Sequence, residues 1–269
     1  AQENTLATVR ILSEKSNYDV TLATGPPIGV EGSLMEEAEQ TKVKIILIPE
    51  LRREINPALD ALSFIKLYIL ILRGKYDVVH THSSKAGILG RIAAKLAGVK
   101  IIIHTIHGLP FHPYQNGFLN FIYVWIEKFA ALFSSRIITV CDAMKEKALS
   151  HHIGPENKFL TIYSGMNLEP FLKSTGEAAA IREKLGIEEN EIVIGKIGRL
   201  FPLKGHKYLI RAAPMVVKSF PNVKFLLIGD GILRTKLDSD AAKSGIRDKF
   251  IFTGLVDRKN IPGLITAMD

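Results

Sequence analysis

Short apolar runs alternate with amphipathic stretches along almost the whole chain, and that alternation leaves few folds open. Strand-like runs fall at 18–23, 43–48, 76–80, 100–105, 136–140 and 159–163, then at 191–197, 223–228 and 250–252. Between them lie segments with apolar residues three and four apart, at 57–72, 85–96, 116–133, 143–149, 178–185, 206–220, 233–243 and 261–267, and a short polar helix at 32–40. Gly25-Pro26-Pro27 reads as a loop, Pro57 suits the first turn of its helix, and Gly98 ends another. Strands alternating with helices predict α/β architecture, with parallel sheets covered by helices on both faces.

The rhythm breaks once, at 164–176, where Gly165, Pro170 and Gly176 fall close together. The chain of 269 residues is long enough for two α/β domains, and the break predicts 1–168 and 169–269. Both ends read as cut. Ala1 already lies inside a helix with Leu6, Val9 and Leu12 on one face, and the chain stops at Asp269 where another strand is expected. On this reading the first domain lacks its first strand and the second is truncated.

Composition narrows the function. The only run apolar enough to suggest a membrane span, 61–72, is interrupted by Lys66 and is shorter than the ~18–20 residues required. No signal peptide opens the chain. The single cysteine, Cys141, excludes an intrachain disulfide and fits a reducing, cytoplasmic setting; at the end of an apolar strand it is expected to be a buried, inert thiol. The net charge of +8 lies mostly in the second half, which suits an anionic ligand or an acidic membrane surface. Basic residues are not interleaved with aromatics, so no nucleic-acid partner is expected.

The richest stretch is IVIGKIGRLFPLKG, residues 192–205. Ile192, Val193, Ile194 and Ile197 form a strand that runs into Gly198, and a helix starts near Gly205 with Tyr208, Leu209, Ala212, Met215 and Val216 on one apolar face. Arg199 and Lys204 therefore sit beyond the carboxyl end of a parallel strand, beside a helix N-terminus that favours anions. Taken alone they read as solvated loop charges; together with the helix terminus they suggest a phosphate or diphosphate site. Gly229-Asp230-Gly231 follows the next strand and should share that rim, with Asp230 read as the cap of the following helix. Thr253, Gly254, Leu255 and Val256 close the strand after it.

Five of the eight histidines, His80, His82, His104, His107 and His112, cluster at two strand ends. Imidazoles are common zinc ligands. No cysteine accompanies these, however, and Asp77 lies at the far end of its strand, so hydrogen-bonded structural imidazoles are expected and no metal site. His107 differs because Gly108 follows it and lets backbone approach a ligand. Ser83-Ser84 can cap the helix that Lys85, Ala86 and Gly87 open.

Several of these motifs resemble one family in order and spacing: HTHSSKAGILG at 80–90, HTIHG at 104–108, YSGMN at 163–167, and Gly-Arg-Leu at 198–200 with Lys204-Gly205 five residues on. They resemble GT-B glycosyltransferases of family 4. The resemblance implies two Rossmann-like domains with a site in the cleft between them, the first on the acceptor side and the second holding a nucleotide sugar. It implies that Arg199, Lys204 and Gly205 hold the donor diphosphate, that His107 faces the reacting sugar and acceptor, and that Lys85, Gly87 and Gly108 lie on the acceptor side. Gly229, Asp230, Gly231, Thr253, Gly254, Leu255 and Val256 would pass near the nucleotide and its base, and 163–167 would be the interdomain crossing.

The activity so implied is transfer of a hexosyl group from a UDP-linked donor, with retention, to a sugar, glycan or lipid-linked acceptor in cell-envelope polysaccharide assembly, with no metal required. The family's glycine-rich turn would precede Ala1, and its paired glutamates would follow Asp269. A sugar-nucleotide epimerase and a non-catalytic nucleotide- or anion-binding protein stay open as alternatives. Segments 57–73 and 116–133 are apolar enough to seat on the cytoplasmic face of an anionic membrane; core packing accounts for them as well and is the expectation.

Overall fold

The computed structural model describes residues 2–26, 34–41, 43–173 and 176–269. The first unit, Ala1–Met166, runs α1 (Gln2–Ser13), β1 (Thr21–Thr24), α2 (Met35–Glu39), β2 (Lys44–Leu47), α3 (Pro57–Gly74), β3 (Val78–His82), α4 (Ser84–Leu96), β4 (Ile101–Ile106), α5 (Gly117–Leu132), β5 (Arg136–Thr139), α6 (Asp142–Ser150) and β6 (Phe159–Thr161). The second, Asn167–Asp269, runs α7 (Glu169–Lys173), α8 (Ala178–Lys184), β7 (Ile192–Ile197), α9 (His206–Ser219), β8 (Val223–Ile228), α10 (Arg234–Lys243), β9 (Phe250–Gly254) and α11 (Ile261–Thr266). The division falls two residues before the expected one. Every strand pairing among the described residues is parallel: β1 with β2, then β3-β4-β5-β6, then β7-β8-β9.

Strand β8 illustrates why a mostly apolar run becomes a central strand. Val223, Phe225 and Leu227 point to one face, against Ile210 and Ala213 of α9 and Leu237 and Ala241 of α10. Leu226 and Ile228 point to the other, where they pack with Val193, Leu264 and Met268. Both faces are buried; the one polar residue, Lys224, stands near the start of the strand, where its ammonium reaches Glu191 (3.5 Å) and the Asp248 carbonyl (3.1 Å).

Asp269 brings the chain back to the free edge of β7. Its Oδ2 accepts from the Val193 N–H (2.8 Å) and its own N–H donates to the Val193 carbonyl (3.0 Å). Ile192 bonds towards β8, so Val193 faces the opposite edge of β7. The chain thus runs outward from β7 through β8 and β9, then returns to the other side of β7. In an open α/β sheet ligands bind beyond the carboxyl ends of the strands, which here is where β7 runs into Gly198.

Some expectations need correction. The break at 164–176 contains α7, started by Asn167, whose Oδ1 accepts from the Glu169 N–H (3.1 Å); its residues 174 and 175 lie outside the described set, as do Pro27 of the expected loop and Gly32 and Ser33 of the expected helix. The buried line of α9 is His206, Ile210 and Ala213, while Tyr208 and Met215 are exposed. Leu209 and Val216 of the expected face do pack against the core; a buried histidine reads as polar, so the pattern alone misses His206. Cys141 is only half-buried, at the start of α6. Core packing accounts for only one face of each of α3 and α5: Leu67 and Ile71 of α3 and Ala131 of α5 are buried in the core, whereas Leu62, Ile65, Ile69 and Leu72 of α3, and Phe118, Phe121, Trp125, Phe129 and Leu132 of α5, are all exposed.

Candidate active site

The β7–α9 loop is held from beneath. Leu200 is fully buried, its N–H donates to the Asp230 carbonyl (2.9 Å), and its carbonyl accepts from the Leu233 N–H (2.9 Å). The Gly198 N–H donates to the Ile228 carbonyl (2.9 Å). His206 Nε2 donates to the Arg199 carbonyl (2.8 Å), which fixes the tautomer. Burial holds this imidazole below its usual pKa, with Lys196 and Lys204 acting in the same direction. A neutral ring can therefore lock the loop without adding charge. Sequence reasoning missed His206; its phase with Ile210 and Ala213 was the available signal.

Pro202–Lys204 forms one 3-10 turn, and Gly205 (φ 70°) turns the chain into α9. No side chain caps α9, so its first N–H groups have no side-chain acceptor. Such an end attracts anions. Lys204 is exposed and Arg199 half-buried, its guanidinium 5.2 Å from the centre of the Phe201 ring.

The glycine turn after β8 packs directly on this loop. A Cβ at Gly229 (φ 130°) would lie 2.4 Å from the Gly198 carbonyl oxygen, and one at Gly231 (φ 155°) 2.7 Å from that of Leu200. Only glycine tolerates both the conformation and the approach. The Gly229 N–H also donates to the Gly254 carbonyl (3.0 Å). The structure thus brings the motifs after β7, β8 and β9 to one rim. Asp230 does not cap α10. Its Oδ1 accepts from the Gly231 N–H (2.7 Å), whereas the residue before α10 is Leu233, with no side-chain cap. Leu255 is exposed, and Val256 packs into the core with Leu226 and Ile228. Arg234 lies 4.0 Å from the Phe252 ring centre, a cation beside this rim that the sequence did not single out.

In the first unit, β3 and β4 are neighbours, in register Thr81 to His104 and His82 to Thr105. Alternation puts His80 and His82 on one face, with ring centres 4.3 Å apart. His80 Nε2 meets the Thr105 hydroxyl (2.8 Å), and His82 Nδ1 meets His107 Nε2 (3.0 Å). His104 points to the opposite face, against the Thr81 hydroxyl (2.9 Å) and under α4. A Cβ at Gly87 would stand 2.4 Å from its ring, so Gly87 serves the close approach of α4. Lys85 is held by Asp60 and the Glu54 carbonyl. A Cβ at Gly108 would meet nothing within 4 Å. His112 leaves the cluster; its backbone is tied to the Asn120 side chain instead. Ser83 precedes α4 as expected but makes no side-chain cap. It sits at φ 60°, ψ 166°, a strained conformation for a residue with a Cβ. Among the described residues no group of three or more His, Cys, Asp or Glu is placed to hold a metal.

Burial pushes His82 down to about 3, helped by the nearby His80 and His107, and His107 down to about 4. Both rings are therefore neutral at pH 7. Unfolded histidines titrate near 6.5. Between about pH 4 and 6.5 the unfolded chain binds protons that the folded one refuses, so stability falls as pH falls. Urea midpoints should drop steadily from pH 7 to 5, and His82→Gln with His107→Gln should flatten that slope by about two protons. An unchanged slope would show that these rings are not held neutral by the fold.

Against known proteins, the model described as "Glycosyltransferase Family 4" matches residues 9–170, and "Glycosyl transferases group 1" matches 177–269. The Escherichia coli UDP-Gal:alpha-D-GlcNAc-diphosphoundecaprenol alpha-1,3-galactosyltransferase is 34% identical over 84% of this chain and 59% of its own length. The Staphylococcus aureus capsular polysaccharide biosynthesis glycosyltransferase CapM is 29% identical over 72% of this chain and 51% of its own. The chain thus spans somewhat more than half of each. Anabaena HepE, crystallised with UDP-glucose, superposes over 100% of this chain and 69% of its own, with a TM-score of 0.75. At 22% identity that likeness speaks for the fold alone. Two Rossmann-like units and a family match over more than half the residues lead to one assignment: the chain belongs to glycosyltransferase family 4, with the GT-B fold.

Proposed function

We propose that the whole protein transfers a hexosyl group, with retention, from a UDP-linked sugar to a hydroxyl of a lipid-linked sugar or growing glycan in cell-envelope polysaccharide assembly, at the cytoplasmic face of the membrane. The observation that carries this is the convergence of Arg199, Lys204 and the uncapped α9 with the Gly229–Gly231 turn and Gly254, beyond the carboxyl ends of β7, β8 and β9. As the bond from the anomeric carbon to the diphosphate oxygen breaks, negative charge grows on the leaving group. Arg199, Lys204 and the α9 N–H groups would meet it there, and the charge they supply leaves no need for a divalent ion.

His107 is assigned to the reacting sugar and acceptor, and the hydrogen bond to His82 would orient its ring. Retention is ascribed to attack from the face the leaving group departs, within an ion pair. The E. coli relative's name supports UDP as the nucleotide and a polyprenyl-diphosphate-linked sugar as the acceptor class. Neither alternative is carried forward, because both matching models describe glycosyltransferases. Calorimetric titration of the whole protein with UDP, GDP and ADP tests the reading. UDP should bind at least about tenfold tighter than the others, and Lys204→Ala should remove most of that affinity. A folded protein that binds none of the three sinks it.

A further inference from the structure

We infer that the outward face of α5, with the two grooves beside it, is a docking surface for an anionic phospholipid bilayer. This deepens the proposed function by naming the surface that would carry the enzyme to a lipid-borne acceptor, and for that purpose it rests on that reading. The physical case comes from α5 itself. Phe118, Phe121, Trp125, Phe129 and Leu132 recur at intervals of three and four, so they form one stripe along about four turns. They are solvent-exposed, Phe118 by 73%, Trp125 by 56% and Leu132 by 70%. A contiguous apolar stripe of this length on a soluble surface marks an interaction site. The helix is too short to cross a bilayer, and among the described residues no helix is long and apolar enough to do so. A helix of this kind lies in the interfacial plane.

The grooves supply the charge. One, of about 460 Å³, is lined by Phe111, Phe121 and Val124 with Lys147 at its rim. The other, of about 310 Å³, is lined by Trp125, Phe129 and Leu132 with Lys128 and Lys158. Among the described residues no carboxylate lines either groove. The one acid on α5, Glu127, is buried against Arg91. Lys128 lies 5.4 Å from the Trp125 ring centre, and Lys147 5.4 Å from that of Phe111. Lys158 donates to the carbonyls of Ala131 and Leu132 at the end of α5.

An apolar stripe flanked by lysines that have no acidic partner among the described residues fits acyl chains beneath anionic headgroups. A second copy fits poorly, since it would bring the same lysines face to face. The exposed stripe of α3 lacks this character, because Lys66 beside it is paired with Glu50 and Lys85 with Asp60.

Trp125 is the only tryptophan in the 269 residues, so its emission reports on this face alone. Vesicles of equal parts phosphatidylglycerol and phosphatidylcholine should shift its emission to shorter wavelength and carry the chain to the pellet; phosphatidylcholine alone should do neither. Lys128→Ala, Lys147→Ala and Lys158→Ala should each weaken partitioning about fivefold, and together about a hundredfold. Phe121→Ser with Phe129→Ser should abolish the shift while the circular dichroism is kept. The inference is overturned if anionic vesicles leave the emission unchanged, or if both vesicle types act alike. A blue-shifted emission without lipid that depends on protein concentration overturns it too, in favour of a second copy. UDP titration on the same preparation separates the readings: lost vesicle binding with intact UDP binding removes this inference and leaves the donor site standing.

Discussion

Lys204→Ala is expected to lower kcat/KM of the whole protein by about 10²–10³-fold, the loss typical of removing one charge-stabilising donor from a preorganised site. Lys204 is exposed at the end of a 3-10 turn and no ion pair among the described residues involves it, so its removal leaves the fold intact and the loss should be purely functional. Most of it should appear in kcat, because the leaving diphosphate gains charge only as the glycosidic bond breaks. Arg199→Lys should also lose activity although the charge is kept. A lysine lacks the planar fork that grips two phosphate oxygens at once. Its backbone would still be locked by His206. Steady-state kinetics checks both. Turnover within about threefold of the parent in both variants would dissociate this loop from the diphosphate.

Glu127→Ala is expected to destabilise the first unit by about 3–5 kcal/mol, the cost of leaving a buried charge unpaired. Arg91 is 1% exposed and Glu127 3%, and Arg91 Nη2 donates to Glu127 Oε2 at 2.9 Å. The second donor of Arg91, Nε, reaches the Gly87 carbonyl (2.9 Å), on the turn of α4 that covers His104. The pair thus ties α5 to the helix that packs on the histidine cluster. Replacing both partners with apolar residues of similar volume should recover most of the loss, since a buried pair adds little over good packing. Urea unfolding followed through Trp125 would measure both. A cost under about 1 kcal/mol for the single change would mean that water reaches Arg91.

Much of the fold is legible from the residues because alternation fixes element type. Where it fails, a tertiary contact overrides the local pattern. The strand expected to stop at His80 continues to His82, since pairing with β4 keeps His80-Thr81-His82 extended despite their polarity. The α9 face is only partly legible, because His206, a polar residue by type, is buried to hold the Arg199 carbonyl. The site divides in the same way. Arg199 and Lys204 could be singled out by spacing, and Gly229 and Gly231 by type. That a Cβ at either glycine would strike the Gly198–Leu200 backbone could not be read from either.

By itself, the sequence determined two parallel α/β halves and which turns carry cations and glycines. These depend on periodicity and local backbone freedom, which act over a few residues. Only the tertiary structure decided that the chain returns to the free edge of β7, that His82 rather than His104 pairs with His107, and that the apolar face of α5 looks outward. Each of these depends on residues far apart in the chain. Hydrophobicity states how much surface a helix would gain by burying; whether a neighbour is there to bury it is settled only when the whole chain has folded.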